Sequence, residues 1–487
     1  MTHLEPAIHL PRLDRHRLVA AAVSFAVLLS AVGVAQESTR YELLGAGLLA
    51  FVAICYLGTF ATPALLFSLA LAAEVLNGNA KQLHLHLPVA PDRLFVAAAI
   101  GVMVMRMPGY APARSIVWRP VHALLAATAA YGAVSAMSAH TLTQQSGLFA
   151  VLDRLGIVPF VAFGLAPLVF GTRKARDTLL VTLVALGLYL GVTAWAEGLH
   201  LRWLVFPGYI KDAGVGIHFG RARGPFAEAV ADGLGLYECA VASATAWWLW
   251  RGRPHAPKFA MAAALLCMSG TIFTLTRAVW LATVVATLVA MLANHRTRAL
   301  LAPTVGIALA ALALAIFFVP GFAHSAGQRQ SEQLPIWDRY NSNSAGVRAV
   351  KANPLFGVGF QSWTEKNTTY MEQSPNYPLT GSRIEIHNVL LSHAAELGLV
   401  GATLWVAAFG SGVLGAIGRR GPSELDPWRL AMIAIAVNWM IVAMFGPLSY
   451  PFPNLFVWLW AGICSIGYTS TLLDPTRRSD AMPTTRA

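Results

Sequence analysis

The side chains best placed to do chemistry are a histidine and a few arginines at the edges of apolar runs. His387 stands where a polar segment turns into a long apolar stretch. A histidine at such a mouth titrates near neutrality and can act as a general base. The plainer alternative is an interfacial residue that only caps or anchors the helix. His393 follows in the same run, roughly 240° around an α-helix, so the two cannot share a metal from one face. Arg277 lies between two apolar runs. A charge at that depth is costly, so it normally has a partner and often a function; the alternative is an arginine that snorkels to the interface. Arg221 and Arg223 belong to Arg221-Ala-Arg223-Gly224-Pro225-Phe226, and Glu228 follows closely. Glu228 is an acidic candidate near the same place, with an ordinary solvated carboxylate as its default.

Weaker signals surround these. His84 and His86 alternate as strand neighbours do, and two imidazoles can bind a metal, but no third ligand stands nearby. Arg339, Arg348 and Lys351 could contact sugar or phosphate, or form a solvated helix face. Trp337, Tyr340, Trp363 and Tyr370 could stack on sugar rings, or pack their segment onto a membrane surface. The chain contains neither Asp-x-Asp nor a P-loop, which argues against metal-dependent sugar-nucleotide chemistry and ATP-driven export.

The elements that must carry these residues are apolar. The 487 residues are 56% hydrophobic and 12% charged, with a mean hydropathy of +0.58. Soluble domains carry about 25% charged residues, so lipid must solvate much of this surface. The net charge of +12 is read as basic loops facing anionic headgroups, and no nucleic-acid-binding motif is present. Cys55, Cys239, Cys267 and Cys464 fall far apart inside apolar stretches. They are expected to be buried thiols, with neither a disulfide framework nor a metal site.

Apolar runs lie near 18–35, 42–58, 60–77, 94–107, 117–138, 151–171, 178–196, 232–250, 258–275, 278–294, 299–319, 388–417, 428–446 and 453–472. The expected fold is an all-α polytopic membrane protein with about twelve to fourteen spans. Arg12, Arg15 and Arg17 precede the first run as in a signal peptide, but the many later spans favour an uncleaved first helix. Basic clusters at Arg106, Arg114 and Arg119, Arg173 to Arg176, Arg251 to Lys258, Arg296 and Arg298, Arg419 and Arg420, and Arg477 and Arg478 fall in alternate loops. The positive-inside rule then places both termini in the cytoplasm. The expected order is N-terminal spans over 1–196, an outer segment 197–231, spans over 232–319, a large outer loop 320–386, spans over 387–473 and a polar tail 474–487. The large loop is nearly balanced in charge and holds a short helix near Gly346–Ala352, stopped by Asn353-Pro354. Chemistry, if any, belongs on this outer side.

Three segments carry a resemblance. His387-Asn388, then Gly398 and Gly401 in the apolar run that follows, resembles the O-antigen ligase and polymerase family pattern of His, then Asn, Ser or Gln, with the two later positions at the same spacing. Asn353-Pro354-Leu-Phe-Gly357-Val-Gly359 looks like the family's Asn-Pro-Leu-Phe-Gly-x-Gly segment, and Thr274-Leu-Thr-Arg277-Ala-Val-Trp280 is similar to its Thr-x-Ser-Arg-Gly-x-Trp element. Arg221 to Phe226 looks like its Arg-x-x-Gly-x-Phe element, which favours Arg221, with Arg223 as the alternative. Family members often continue with Pro-Asn, where this chain reads Ala227-Glu228-Ala229. The resemblance is strong over roughly 220–405 and general elsewhere.

The resemblance implies transfer of a glycan from a polyprenyl (undecaprenyl) diphosphate to an acceptor hydroxyl at the outer face of the cytoplasmic membrane. It implies no metal and no cofactor, and inversion at the anomeric carbon. Arg277 with Arg221 or Arg223 would hold the diphosphate, since an Arg fork binds phosphate oxygens bidentately, and His387 would be catalytic. Arg339, Arg348, Asn388 and Glu228 are possible substrate contacts. The partners would be the lipid-linked donor, a glycan or glycolipid acceptor and the bilayer. A ligase and a repeat-unit polymerase differ only in acceptor, and no motif here separates them. The rival from another class is a transporter of lipid-linked glycans, which predicts ionisable residues deep in its spans and repeated halves. The charges here are expected at the outer edge, without a repeat. A scaffold of an envelope-assembly complex is a third reading.

Overall fold

The computed structural model describes residues 61–83, 90–106, 119–318, 322–374, 376–379, 381, 384–418, 422–446 and 450–466. The runs expected near 18–35 and 42–58, Cys55, His84, His86, Arg114, the pair Arg419 and Arg420, and the tail lie outside these residues. Among the described residues there is no strand. The helices used below are α1 (Pro63–Glu74), α2 (Pro91–Arg106), α3 (Pro120–Ser138), α4 (Ile157–Val169), α5 (Arg173–Gly198), α6 (Ala229–Leu249) and α7 (Ala256–Phe273). They continue with α8 (Arg277–Ala293), α9 (Leu301–Phe318), α10 (Phe322–Ser331), α11 (Leu334–Ala352), α12 (Val389–Phe409), α13 (Asp426–Phe445) and α14 (Pro451–Cys464).

Local chemistry sets their starts. Thr62, Thr172, Glu228 and Asn388 each accept a backbone N–H in the first turn of α1, α5, α6 and α12. Proline opens α1, α3, α7, α11, α13 and α14, where its missing N–H leaves nothing unpaired. Among the described residues six helices are long and apolar enough to cross a membrane, or up to seven if Pro63–Glu74 and Asn77–Leu83, bent by 79°, make one span. Helices α8 and α14 are apolar but shorter. The chain is therefore an all-α, multi-pass membrane protein, and its helices follow the expected runs closely.

Small residues let the central helices approach. A Cβ at Gly191 of α5 would stand 2.8 Å from Leu266 of α7, the close contact that drives helix association where lipid offers no hydrophobic force. Aromatic rings fill the other half of the core. Trp405 and Phe409 of α12 stack with Trp439 of α13, and Trp428 packs on Trp460 at 4.5 Å. Val134, Val181, Leu281, Val284 and Leu309 are exposed on the outside of the bundle, an apolar rim suited to lipid. Cys239, Cys267 and Cys464 are buried and free. The large loop carries more helix than the sequence suggests. In place of a short turn near Gly346–Ala352, α11 runs the full 19 residues from Leu334 to Ala352.

Candidate active site

The site is built on a break in α12. Gly398 has φ +69° and ψ −179°, so the helix is interrupted between the turn bearing His393 and the turn bearing Gly401. The backbone groups freed there are taken by the loop Asn353–Gly359. Val358 N–H donates to Ala395 O and Gly359 N–H to Glu396 O, each at 2.9 Å, while Leu399 N–H donates to Pro354 O at 2.8 Å. Tyr131 of α3 donates to Leu397 O at 2.8 Å. Buried backbone groups must be paired, and here one motif segment pairs the groups another has released. A Cβ on Gly398 would lie 2.1 Å from Leu355 O, and one on Gly357 (φ +70°) 2.5 Å from Glu396 O. Gly401 is pressed against Tyr131, whose ring would stand 2.6 Å from a Cβ added there. The motif glycines are thus joinery, and they fix where the first turn of α12 points.

That first turn presents His387. Asn388 is the helix cap, its Oδ1 accepting from Leu391 N–H at 3.0 Å, and its Nδ2 faces Met444 Sδ. His387 Nδ1 lies 2.9 Å from Glu385 O and 3.5 Å from Ser342 Oγ. A carbonyl only accepts, so Nδ1 carries the proton and Nε2 keeps its lone pair. Burial, and next the Arg339 guanidinium, hold His387 below its usual pKa, which keeps the imidazole neutral. Arg339 is itself pushed down by burial and by Arg277, which lies within electrostatic reach; its Nε is buried without a hydrogen-bond partner. Arg277, the first residue of α8, donates to Glu332 O at 3.5 Å. Two neighbouring guanidiniums beside a neutral imidazole make a place for an anion and a proton acceptor.

The corner bearing Arg277 is tightly built. Leu275 has φ +48°, Trp280 Nε1 donates back to Thr271 O at 3.1 Å, and Thr276 Oγ1 donates to Thr274 O at 2.9 Å. The segment 197–231 docks on it through Ala222 N–H and Phe273 O at 2.9 Å, so Arg221 and Arg223 reach the same end of the bundle as Arg277. Their surroundings differ. Arg223 is 1% exposed and donates to the carbonyls of Ile210, Asp212, Val215 and Ile217. Its fork clamps its own loop. Glu197 Oε2 accepts from Arg223 and Gly224 N–H, and Asn79 and Tyr209 donate to the carbonyls of this arm. Arg221 closes a turn, its N–H donating to His218 O at 3.3 Å.

Glu228 is not a solvated carboxylate. It is buried as the cap of α6, with Oε2 2.6 Å from Ala231 N and Oε1 3.0 Å from His218 Nδ1. The Tyr450 hydroxyl is hydrogen-bonded to it and lies within electrostatic reach of Glu385, which links this arm to the His387 turn. Arg348 is tied to Tyr370 O at 2.7 Å and to Glu372 at 3.4 Å. Tyr340 stacks on Tyr377 and Trp363 is buried, its Nε1 bonded to Ile384 O. These side chains hold the large loop together. His393 is buried against Trp405, with ring centres 4.7 Å apart.

The expectation that charges keep to the outer edge is corrected by the structure. Glu238, in the middle of α6, is 1% exposed with both oxygens unpaired among the described residues, and Asp232 is fully buried likewise. Arg154, in a π-turn at Val151–Leu155, lies within electrostatic reach of His393, Glu396 and Tyr450. Beside it Arg93 pairs with Asp153 at 2.9 Å, near Glu74 and Asp92. The signal for these residues was present as single charges inside otherwise apolar runs.

Residues 262–406 match the O-antigen ligase family model, a stretch that holds Arg277, Arg339, His387 and both glycine motifs. No curated protein matches the chain. The matched segment coincides with the broken helix, its docked loop and the arginine corner, so this part of the chain is similar to the O-antigen ligase family, which supports a ligase- or polymerase-type role in polysaccharide synthesis.

Proposed function

We propose that the protein transfers a glycan from a polyprenyl diphosphate to an acceptor hydroxyl at the outer face of the cytoplasmic membrane, with both termini in the cytoplasm. The observation that carries this reading is the grouping of Arg277, Arg339 and a neutral His387 whose Nδ1 is committed to Glu385 O. The polyprenyl tail stays in lipid. Arg277 and Arg339, with Arg221 from the neighbouring arm, hold the diphosphate; Arg223 supports that arm from behind. The acceptor oxygen attacks the anomeric carbon and gives its proton to His387 Nε2. The bond from that carbon to the phosphate oxygen breaks, its electron pair leaves with the diphosphate, and configuration inverts. The arginines oppose the charge growing on the leaving group, the largest contribution such a site can make.

The test is reconstitution of the full chain in liposomes with a polyprenyl-diphosphate-linked glycan, scoring product size with and without acceptors. Single-step capping of an acceptor marks a ligase, and a ladder of growing chains marks a polymerase. The second reading, a transporter of the same donor, draws on buried Glu238 and Arg154. Movement of the donor across the bilayer without any transfer would replace the first reading with it.

A further inference from the structure

We propose that His218, backed by Glu228, is a further ligand for the leaving diphosphate, a role that rests on the transfer reading above. Four observations converge. His218 Nδ1 is 3.0 Å from Glu228 Oε1 and is itself closed off from solvent, while the His218 side chain remains 32% exposed. The ring's exposure therefore lies away from Nδ1. The carboxylate stands beside Nδ1 as an ion-pair contact that orients the ring electrostatically, and in the protonated form Nε2–H is a charge-assisted donor.

The carboxylate is itself well held. Glu228 Oε2 caps α6 through Ala231 N–H, and the Tyr450 hydroxyl, kept protonated by burial and by that carboxylate, donates to it. His218 and Arg221 are the two ends of one turn, closed by Arg221 N–H on His218 O, with Gly220 at φ +87° and His218 at φ +62°. One short turn thus carries an imidazole and a guanidinium together. This turn borders the site from two directions: Ala222 is bonded to the Phe273 end of the corner that bears Arg277, and Tyr450 connects Glu228 to Glu385 beside His387. Cations from Arg221, His218, Arg277 and Arg339 then ring one anionic group, while His387 faces the acceptor. Glu228 is a positioning residue, and His218 the ligand.

The experiment measures binding of farnesyl diphosphate to the full-length protein in nanodiscs, with transfer assayed in parallel. His218→Gln is expected to weaken binding about tenfold, His218→Lys to recover most of it, and Glu228→Gln to weaken it severalfold while still capping α6. The KM for acceptor should stay within about twofold of the unsubstituted protein. Binding by His218→Gln as tight as the unsubstituted protein would overturn the proposal. So would an equal loss in the Gln and Lys variants, which would mark a loop-shaping role. These failures are separable from failure of the transfer reading: in that case the unsubstituted protein neither transfers glycan nor binds farnesyl diphosphate, and His387→Gln changes nothing.

Discussion

Replacing Gly398 by alanine should unfasten the large loop from α12. The Gly398 backbone, at φ +69° and ψ −179°, lies in a region that side chains essentially never enter, and a Cβ there would stand 2.1 Å from Leu355 O and 2.5 Å from Phe356 N. Those are backbone atoms, so no rotamer change relieves the clash. Strain of that kind costs about 1–3 kcal/mol before the clash is counted. The alternative is separation, which gives up the bonds from Val358, Gly359, Leu399 and Val400 at about 0.5–1.5 kcal/mol each. The chain takes the cheaper route, so docking should weaken by about 2–5 kcal/mol. At about 1.4 kcal/mol per factor of ten, the undocked population rises about thirtyfold at least, and up to roughly a few thousandfold. Limited proteolysis of the loop in proteoliposomes reads that population directly, and transfer activity should fall with it. Gly401→Ala serves as a comparison without the positive-φ strain, its nearest atoms being Leu397 Cβ and the Tyr131 ring. Cleavage and transfer by Gly398→Ala at the level of the unsubstituted protein would refute the idea that the break exists to receive the loop.

His387→Gln should lower kcat for transfer by about 10²–10⁴-fold with little change in donor binding, as loss of a proton acceptor does. The pH profile carries a sign. Because His387 is held below its usual pKa of about 6.5, the neutral form and the activity that needs it should persist below that pH and fail only on further acidification. Arg339→Gln removes one of the two causes, so the acid limb should move to higher pH; an unmoved limb would show that the arginine does not act on His387. The same substitution relieves crowding with Arg277, so it should leave thermal stability unchanged or raised while farnesyl diphosphate loses its stabilising effect. Arg223→Lys should cost about 2–4 kcal/mol of stability, since one ammonium cannot satisfy the carbonyls the fork now serves, and proteolysis within 197–231 should accelerate.

The spans were legible because they announce themselves by length and apolarity, and most of their ends fell within a few residues of the expected runs, whereas α11 in the polar loop begins at Leu334, well before the expected Gly346. His387 and Arg277 were legible as polar residues at the edges of apolar runs. What escaped the sequence was partnership. Nothing in the spacing of Arg223 shows that four carbonyls converge on it, and nothing in Glu228 shows that it faces back onto the first turn of α6. Both follow from how the arm folds over Phe273, a contact between residues about fifty positions apart. The break at Gly398 was hidden for a related reason. A glycine inside an apolar run reads as a close helix contact, and only the loop arriving from Asn353 turns it into an interruption.

The arginines explain why so much of the motif is joinery. Arg277 lies within electrostatic reach of Arg339 and makes it costlier to bury. Left to themselves two such side chains would swing apart toward water. They stay together because each is anchored by a different, rigid piece of backbone: the strained corner at Leu275, and the long helix α11. His387 is fixed by a third, the capped and broken α12. The glycines and Asn388 hold these pieces in register, so the crowding is carried by the surrounding packing and not relieved by local movement. If the protein takes a diphosphate donor, as proposed, that donor would meet groups that need no rearrangement, and repulsion between the cations would turn into attraction for the ligand. On this reading the motif's non-catalytic positions set the rate as surely as His387 does, because any loosening lets the arginines separate before the donor arrives.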